Sequence, residues 1–171
     1  ADMNGKVKDD KWKHDEDDAR LDWEIVAWSE NGTSYSVDHG SIGTFQGQSV
    51  RDLSTHNHPD RVKWSYKMGD QNCVWDEFDK IIKAKYHTDT GKRMSILAAG
   101  LDSAPYTNYS YPYMKTNKLV IGTKGDKLQG TGIFIDADYK PFIISKEKND
   151  LWILNVNKYK DNLADLCGLI W

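Results

Sequence analysis

Apolar positions alternate with polar ones in several short stretches and recur at helical spacing in two longer ones, a pattern that predicts strands mixed with a few helices. Trp23-Glu24-Ile25-Val26-Ala27-Trp28 reads as a strand. Asn31-Gly32 follows it, a dipeptide suited to a type I′ hairpin turn, and Ser34-Tyr35-Ser36-Val37 would be the return strand. Residues 39–49 read as a Gly/Ser/Gln-rich loop, and Val50 to Thr55 as another strand. From Asp70 the spacing of Val74, Phe78, Ile81, Ile82 and Lys85 predicts a helix, capped by Asp70 or Asn72 and ended by the polar run His87 to Gly91. Met94 to Ala99 reads as a buried strand and residues 102–117 as a long Tyr/Pro/Asn-rich loop. Three strands follow, Lys118–Thr123, Gly130–Asp136 and Tyr139–Ser145, the last two joined at Asp136-Ala137-Asp138. Tyr159–Ile170 predicts a closing helix with Leu163, Leu166 and Ile170 inward.

These elements imply an α+β fold. The expectation is a single domain with a central mixed or antiparallel sheet, a helix after the strand ending at His56 and His58, and a C-terminal helix. Residues 1–20 would be a polar lead-in, since Lys11-Trp12-Lys13 and Asp15-Glu16-Asp17-Asp18 have the composition of wet surface. Residues 21–171 would form the domain.

Composition narrows the class. The chain has 171 residues, 39% hydrophobic and 29% charged, which suits one folded domain with a sizeable core. No apolar run approaches the roughly 18 residues a membrane span needs. A net charge of −3 provides no clear nucleic-acid signal. Seven tryptophans and nine tyrosines suit an aromatic core and rim, or a surface for a protein partner. Cys73 and Cys167 are too few for a disulfide framework. The start, Ala1-Asp2-Met3-Asn4-Gly5-Lys6, has no apolar signal segment and reads as that of an excised domain.

The chemistry-bearing stretch is Thr55-His56-Asn57-His58-Pro59. On an extended segment, side chains two apart share a face, so His56 and His58 could chelate one ion. A catalytic zinc takes three protein ligands and keeps a water, and Asp70 is a candidate third. These residues, with Ser65 before Asp70, resemble the His-x-His-Pro…Ser-x-x-Asp signature of the JAB/JAMM metal-dependent hydrolases, in the branch shared by RadC-like proteins and bacterial polymorphic toxins. The resemblance implies Zn²⁺ held by His56, His58 and Asp70, Ser65 orienting the oxyanion and Glu24 as general base. It implies a protein or peptide substrate cut at an amide or isopeptide bond. The resemblance further implies a bacterial toxin, a delivered effector or a phage-type module, and a toxin would also meet a cognate inhibitor or immunity protein. Two departures stand out: four residues separate Ser65 from Asp70 where the family has two, and Glu24 lacks the glycine that follows in the family's first strand.

A second chemistry centres on Cys73. A thiol at a helix start is favoured as thiolate, and His39, His56 or His58 could serve as its base, an arrangement resembling papain-like cysteine hydrolases. Cys73 could instead join the two histidines as a zinc ligand. The remaining alternative is a non-catalytic protein-interaction domain. There is no P-loop, nucleophile elbow or deaminase metal set.

Overall fold

Three short strands, β1 (Asp2–Asn4), β2 (Lys6–Lys8) and β3 (Lys11–Lys13), occupy the stretch expected to be a solvated lead-in. β1 pairs antiparallel with β4 (Arg20–Trp28), placing Asp2 opposite Asp22 and Asn4 opposite Arg20. β4 in turn pairs with β5 (Ser34–Gly43), giving a sheet in the order β1-β4-β5. In this computed structural model, residues 2–4, 6–8, 11–13, 19–43, 64–103, 106–125, 142–145, 150–156, 158–160 and 162 are described. The strands expected at Val50–Thr55 and Gly130–Asp136, the Asp136–Asp138 turn, most of the closing helix, His56, His58 and Cys167 lie outside them.

The hairpin forms where Asn31-Gly32 predicts it, with a different turn. Gly32 has φ of +85°, but Asn31 does not take the positive φ that a type I′ turn requires of both residues. Ser29 instead bonds across the loop to Thr33, backbone to backbone at 2.9 Å, and Thr33 donates to the Asn31 side chain at 3.1 Å. The return strand runs to Gly43, through half of the stretch expected to be a loop. Gly43 sits at φ +103°, and a Cβ there would lie 2.2 Å from the Ala19 carbonyl oxygen. This close approach seats the end of the hairpin on the core, where Ala19, Leu21, Ile42 and Val74 are all buried.

Helix α1 (Val74–Lys83) begins four residues later than Asp70. Asn72 takes the left-handed conformation, φ +59°, which no helical turn accommodates, and Ser65 bridges to Cys73 in parallel. Cys73 occupies the cap position without a side-chain bond, so neither Asp70 nor Asn72 caps the helix. The predicted stripe does face inward: Val74, Phe78 and Ile82 are buried, joined by Trp75. Met94 to Ala99 is not a buried strand. β6 (Lys85–His87) and β7 (Arg93–Ser95) form a separate hairpin, Met94 and Leu97 are exposed, and β8 (Ala99–Asp102) starts only at the end of the run.

The expected loop over 102–117 contains a helix, α2 (Thr107–Thr116), with Pro112 inside it. Its tyrosines explain why it folds: Tyr106, Tyr109 and Tyr113 recur at helical spacing and pack on α1 and the segment before it. Tyr113 stacks on Trp75 with ring centres 4.5 Å apart, and Tyr106 lies 4.7 Å from Tyr66. Polar links run through this aromatic layer. The Trp75 indole donates to the Tyr66 carbonyl at 2.6 Å, and the Tyr66 hydroxyl bonds both the backbone N–H and the carbonyl of Arg20. Asp79 of α1 accepts from the Tyr113 hydroxyl at 2.6 Å and from the Asn117 amide at 2.9 Å.

α2 crosses between two parallel strands, β8 and β9 (Val120–Gly125). β9 runs parallel to β11 (Leu151–Leu154), and β10 (Phe142–Ser145) closes the far edge antiparallel, giving a second sheet ordered β10-β11-β9-β8. The chain turns helical again from Val156. The fold is α+β, one small domain with mixed pairing and few helices.

Candidate active site at the junction of two sheets

β1 is one edge of the first sheet and β8 one edge of the second, and the Cα atoms of these two strands approach within 8 Å.

Asp102 is the last residue of β8, exposed, at the point where the chain leaves the sheet for α2. Its backbone lies opposite Thr123, and the next residue is fixed, with the buried Ser103 donating its N–H to the Thr123 carbonyl at 3.1 Å. Asp2 stands on β1 at the junction, opposite Asp22. Asp22 is held in a bonded set: Arg20 Nε donates to its Oδ1 at 2.8 Å, Ser41 Oγ donates to the same oxygen at 2.6 Å, and the Arg20 guanidinium also reaches Ser41 at 3.1 Å.

Of the residues expected to carry the chemistry, Glu24, His39, Ser65, Asp70 and Cys73 are among those described. Ser65 and Asp70 come together, Oγ to Oδ2 at 2.9 Å, in the loop before α1, where Ser65 Oγ also accepts from the Lys67 N–H at 3.0 Å. Glu24 and His39 are cross-strand partners in the exposed half of the β4–β5 hairpin. Among the described residues no three of His, Cys, Asp and Glu converge on a point that could hold a metal ion. Cys73 is 2% exposed, inside the main core cluster. Burial pushes its thiol above the ordinary value and the nearby Asp76 carboxylate adds to this, outweighing backbone hydrogen bonds from Trp75, Asp76 and Gly69. A thiol so placed is a packing group and not a poised nucleophile.

Residues 14–168 match the family described as terminase large subunit gpA, endonuclease domain. The chain belongs to this family. No curated protein and no solved structure matches it. The membership overturns the JAB/JAMM resemblance, and with it the isopeptidase, metalloprotease and toxin readings, the papain-like alternative and the protein or peptide substrate with its cognate inhibitor. The physical reason is the reach of each likeness: His-x-His-Pro is a handful of residues that two unrelated chains can share, whereas the family match runs through nearly every element of the fold. The expectation of an enzyme holds at the level of a hydrolase domain, of nuclease rather than peptidase type.

Asp102 has no place in either expected site, because a single aspartate makes no motif. One signal was present: a carboxylate closes the run Leu97-Ala98-Ala99-Gly100-Leu101 immediately before a helix-compatible stretch.

Proposed function

We propose that this chain is a divalent-metal-dependent DNA endonuclease domain whose active site lies at the β1–β8 junction. The observation that carries the reading is the endonuclease-family match over residues 14–168, with the exposed Asp102 closing β8 where that strand approaches β1. Asp102 would be one ligand of the metal, and a carboxylate oxygen suits a hard cation such as Mg²⁺ or Mn²⁺ better than Zn²⁺, which favours nitrogen and sulfur donors; among the described residues no three His, Cys, Asp or Glu side chains converge to complete such a site. When bound, such a cation supplies an activated water and neutralises charge on the phosphoryl oxygens.

The protein's own part is placement. The Ser103 N–H holds the end of β8 to the Thr123 carbonyl of β9, so Asp102 is presented from a fixed strand end. Incubating the chain with supercoiled plasmid and Mg²⁺ or Mn²⁺ tests the reading. It expects nicked or linear product, abolished by EDTA. An intact plasmid under both metals would overturn it.

A further inference from the structure

The second sheet buries one face under α2 and leaves the other half-exposed. Leu101, Val120, Gly122 and Leu151 are buried on the side where α2 packs, and a Cβ at Gly122 would lie 2.5 Å from the Met114 sulfur. On the opposite face Asp102 of β8, Thr123 of β9 and Trp152 of β11 are successive partners in the register. Paired positions share a face and neighbouring strands lie about 4.8 Å apart, so Trp152 stands about 10 Å from Asp102 on one surface. Phe142 stacks on Trp152, ring centres 4.3 Å apart at 11°, which takes one face of the indole and holds the ring in one plane. Trp152 also lines a cavity of about 310 Å³ at the start of β9, whose apolar wall includes Met114, Val120 and Ile121. Lys115 and Lys118 line it as well, both exposed and neither ion-paired among the described residues. Asp150, in the left-handed conformation at φ +57°, contributes a carboxylate to the same lining.

We propose that this cavity is a subsite for one unpaired nucleotide of a DNA strand that also reaches Asp102. Three features carry it. An indole held in one plane is a stacking surface for a base of any identity. Two ammonium groups without protein partners match the phosphates on either side of that base, and the Asp150 carboxylate can accept from a base amino group. The volume lies at the small end of ligand sites, enough for a single nucleotide and too little for a base pair. The row Asp102–Thr123–Trp152 then joins the subsite to the strand end assigned to the metal. The proposal rests on the nuclease reading. Lys115 also lies in the last turn of α2, where a cation complements the helix dipole, and the experiment separates that role from phosphate binding.

The test titrates the full chain, in EDTA to prevent cleavage, with a labelled DNA single strand of about 12 nucleotides, a length within the range of single-strand sites. Trp152→Leu should lose roughly fivefold to 150-fold in affinity for the strand, and Trp152→Phe should recover most of it. Lys115→Gln with Lys118→Gln should lower the slope of log affinity against log salt by roughly 1.4, since each single-strand phosphate contact contributes about 0.7. Unchanged affinity in a folded Trp152→Leu variant, or an unchanged slope in the lysine variant, would overturn the subsite. Both lysines are exposed, so the second arm decides even where Trp152→Leu does not fold. A deoxynucleoside monophosphate that competes as well as the unlabelled strand would assign the cavity to a free nucleotide and overturn the proposal. Plasmid cleavage by the unmodified chain in Mg²⁺ and Mn²⁺ is followed alongside. Cleavage with unchanged affinity and slope defeats the subsite alone, and absence of cleavage defeats the nuclease reading and, with it, the placement of the strand at Asp102.

Discussion

Asp79 is the polar tie between α1 and α2, and replacing it with alanine measures how firmly the aromatic layer is held. One carboxylate oxygen accepts from the Tyr113 hydroxyl at 2.6 Å and the Asn117 amide at 2.9 Å, and the other accepts from Lys83. Tyr113 is 3% exposed, so Asp79→Ala leaves a buried hydroxyl donor without its acceptor, at a cost of about 1 to 3 kcal/mol. The Lys83 pair is largely solvated and adds under about 1 kcal/mol. The expected loss is about 2 to 3 kcal/mol, read as a fall in Tm of roughly 4 to 12 °C or a shifted urea midpoint at constant slope. In a Tyr113→Phe background the same substitution should cost less than half as much, because only the half-exposed Asn117 amide then loses its acceptor and no buried hydroxyl is stranded.

The pH dependence has a definite sign. Burial alone would raise the Asp79 carboxyl, but hydrogen bonds from Lys83, Tyr113 and Asn117 outweigh it and hold the group below its ordinary value of 3.8. A depressed folded-state value contributes stability that is complete above the unfolded value and is lost as pH falls through the folded one. The gap between the unmodified chain and Asp79→Ala should be constant from pH 7 to about pH 4.5 and narrow below pH 3.8. A gap as wide at pH 3 as at pH 7, or a cost equal in both Tyr113 backgrounds, would refute the reasoning.

Two further outcomes follow from packing. Gly43→Ala meets the Ala19 carbonyl at 2.2 Å at a positive φ and should cost more than about 3 kcal/mol, whereas Gly32→Ala, also at positive φ but in open space, should cost about 1; thermal melts of both variants compare them. In a Cys167→Ser background, Cys73 should resist iodoacetamide at pH 8 in the native protein and react fully in denaturant. Rapid native labelling would contradict its burial.

The hairpin and α1 were legible because each combines a local signal with a periodic one: Asn-Gly between alternating residues, and a 3.6-residue stripe. What hid the rest was equally physical. β1, β2 and β3 are three residues each, too short for alternation to register against their charge, and β1 is defined by pairing with β4 rather than by its own composition. α2 reads as a loop because tyrosine, asparagine and proline are weak helix formers, and only packing on Trp75 and Tyr66 overrides that preference. Met94-Ser95-Ile96-Leu97 looks buried by hydropathy but lies in and just after an exposed two-stranded hairpin. The site was least legible. His56-Asn57-His58 is conspicuous as text but lies outside the described residues, whereas Asp102 is a single aspartate at a strand end and makes no motif.

The most direct test of the central claim is plasmid cleavage by Asp102→Asn, which keeps the size of the side chain and removes its charge. With Mg²⁺ or Mn²⁺ at saturating concentration, the unmodified chain should nick or linearise supercoiled DNA. The variant, with an unchanged melting curve, should lose activity by at least about a hundredfold, while His56→Ala with His58→Ala retains it. Full cleavage by folded Asp102→Asn would remove the active site from the β1–β8 junction.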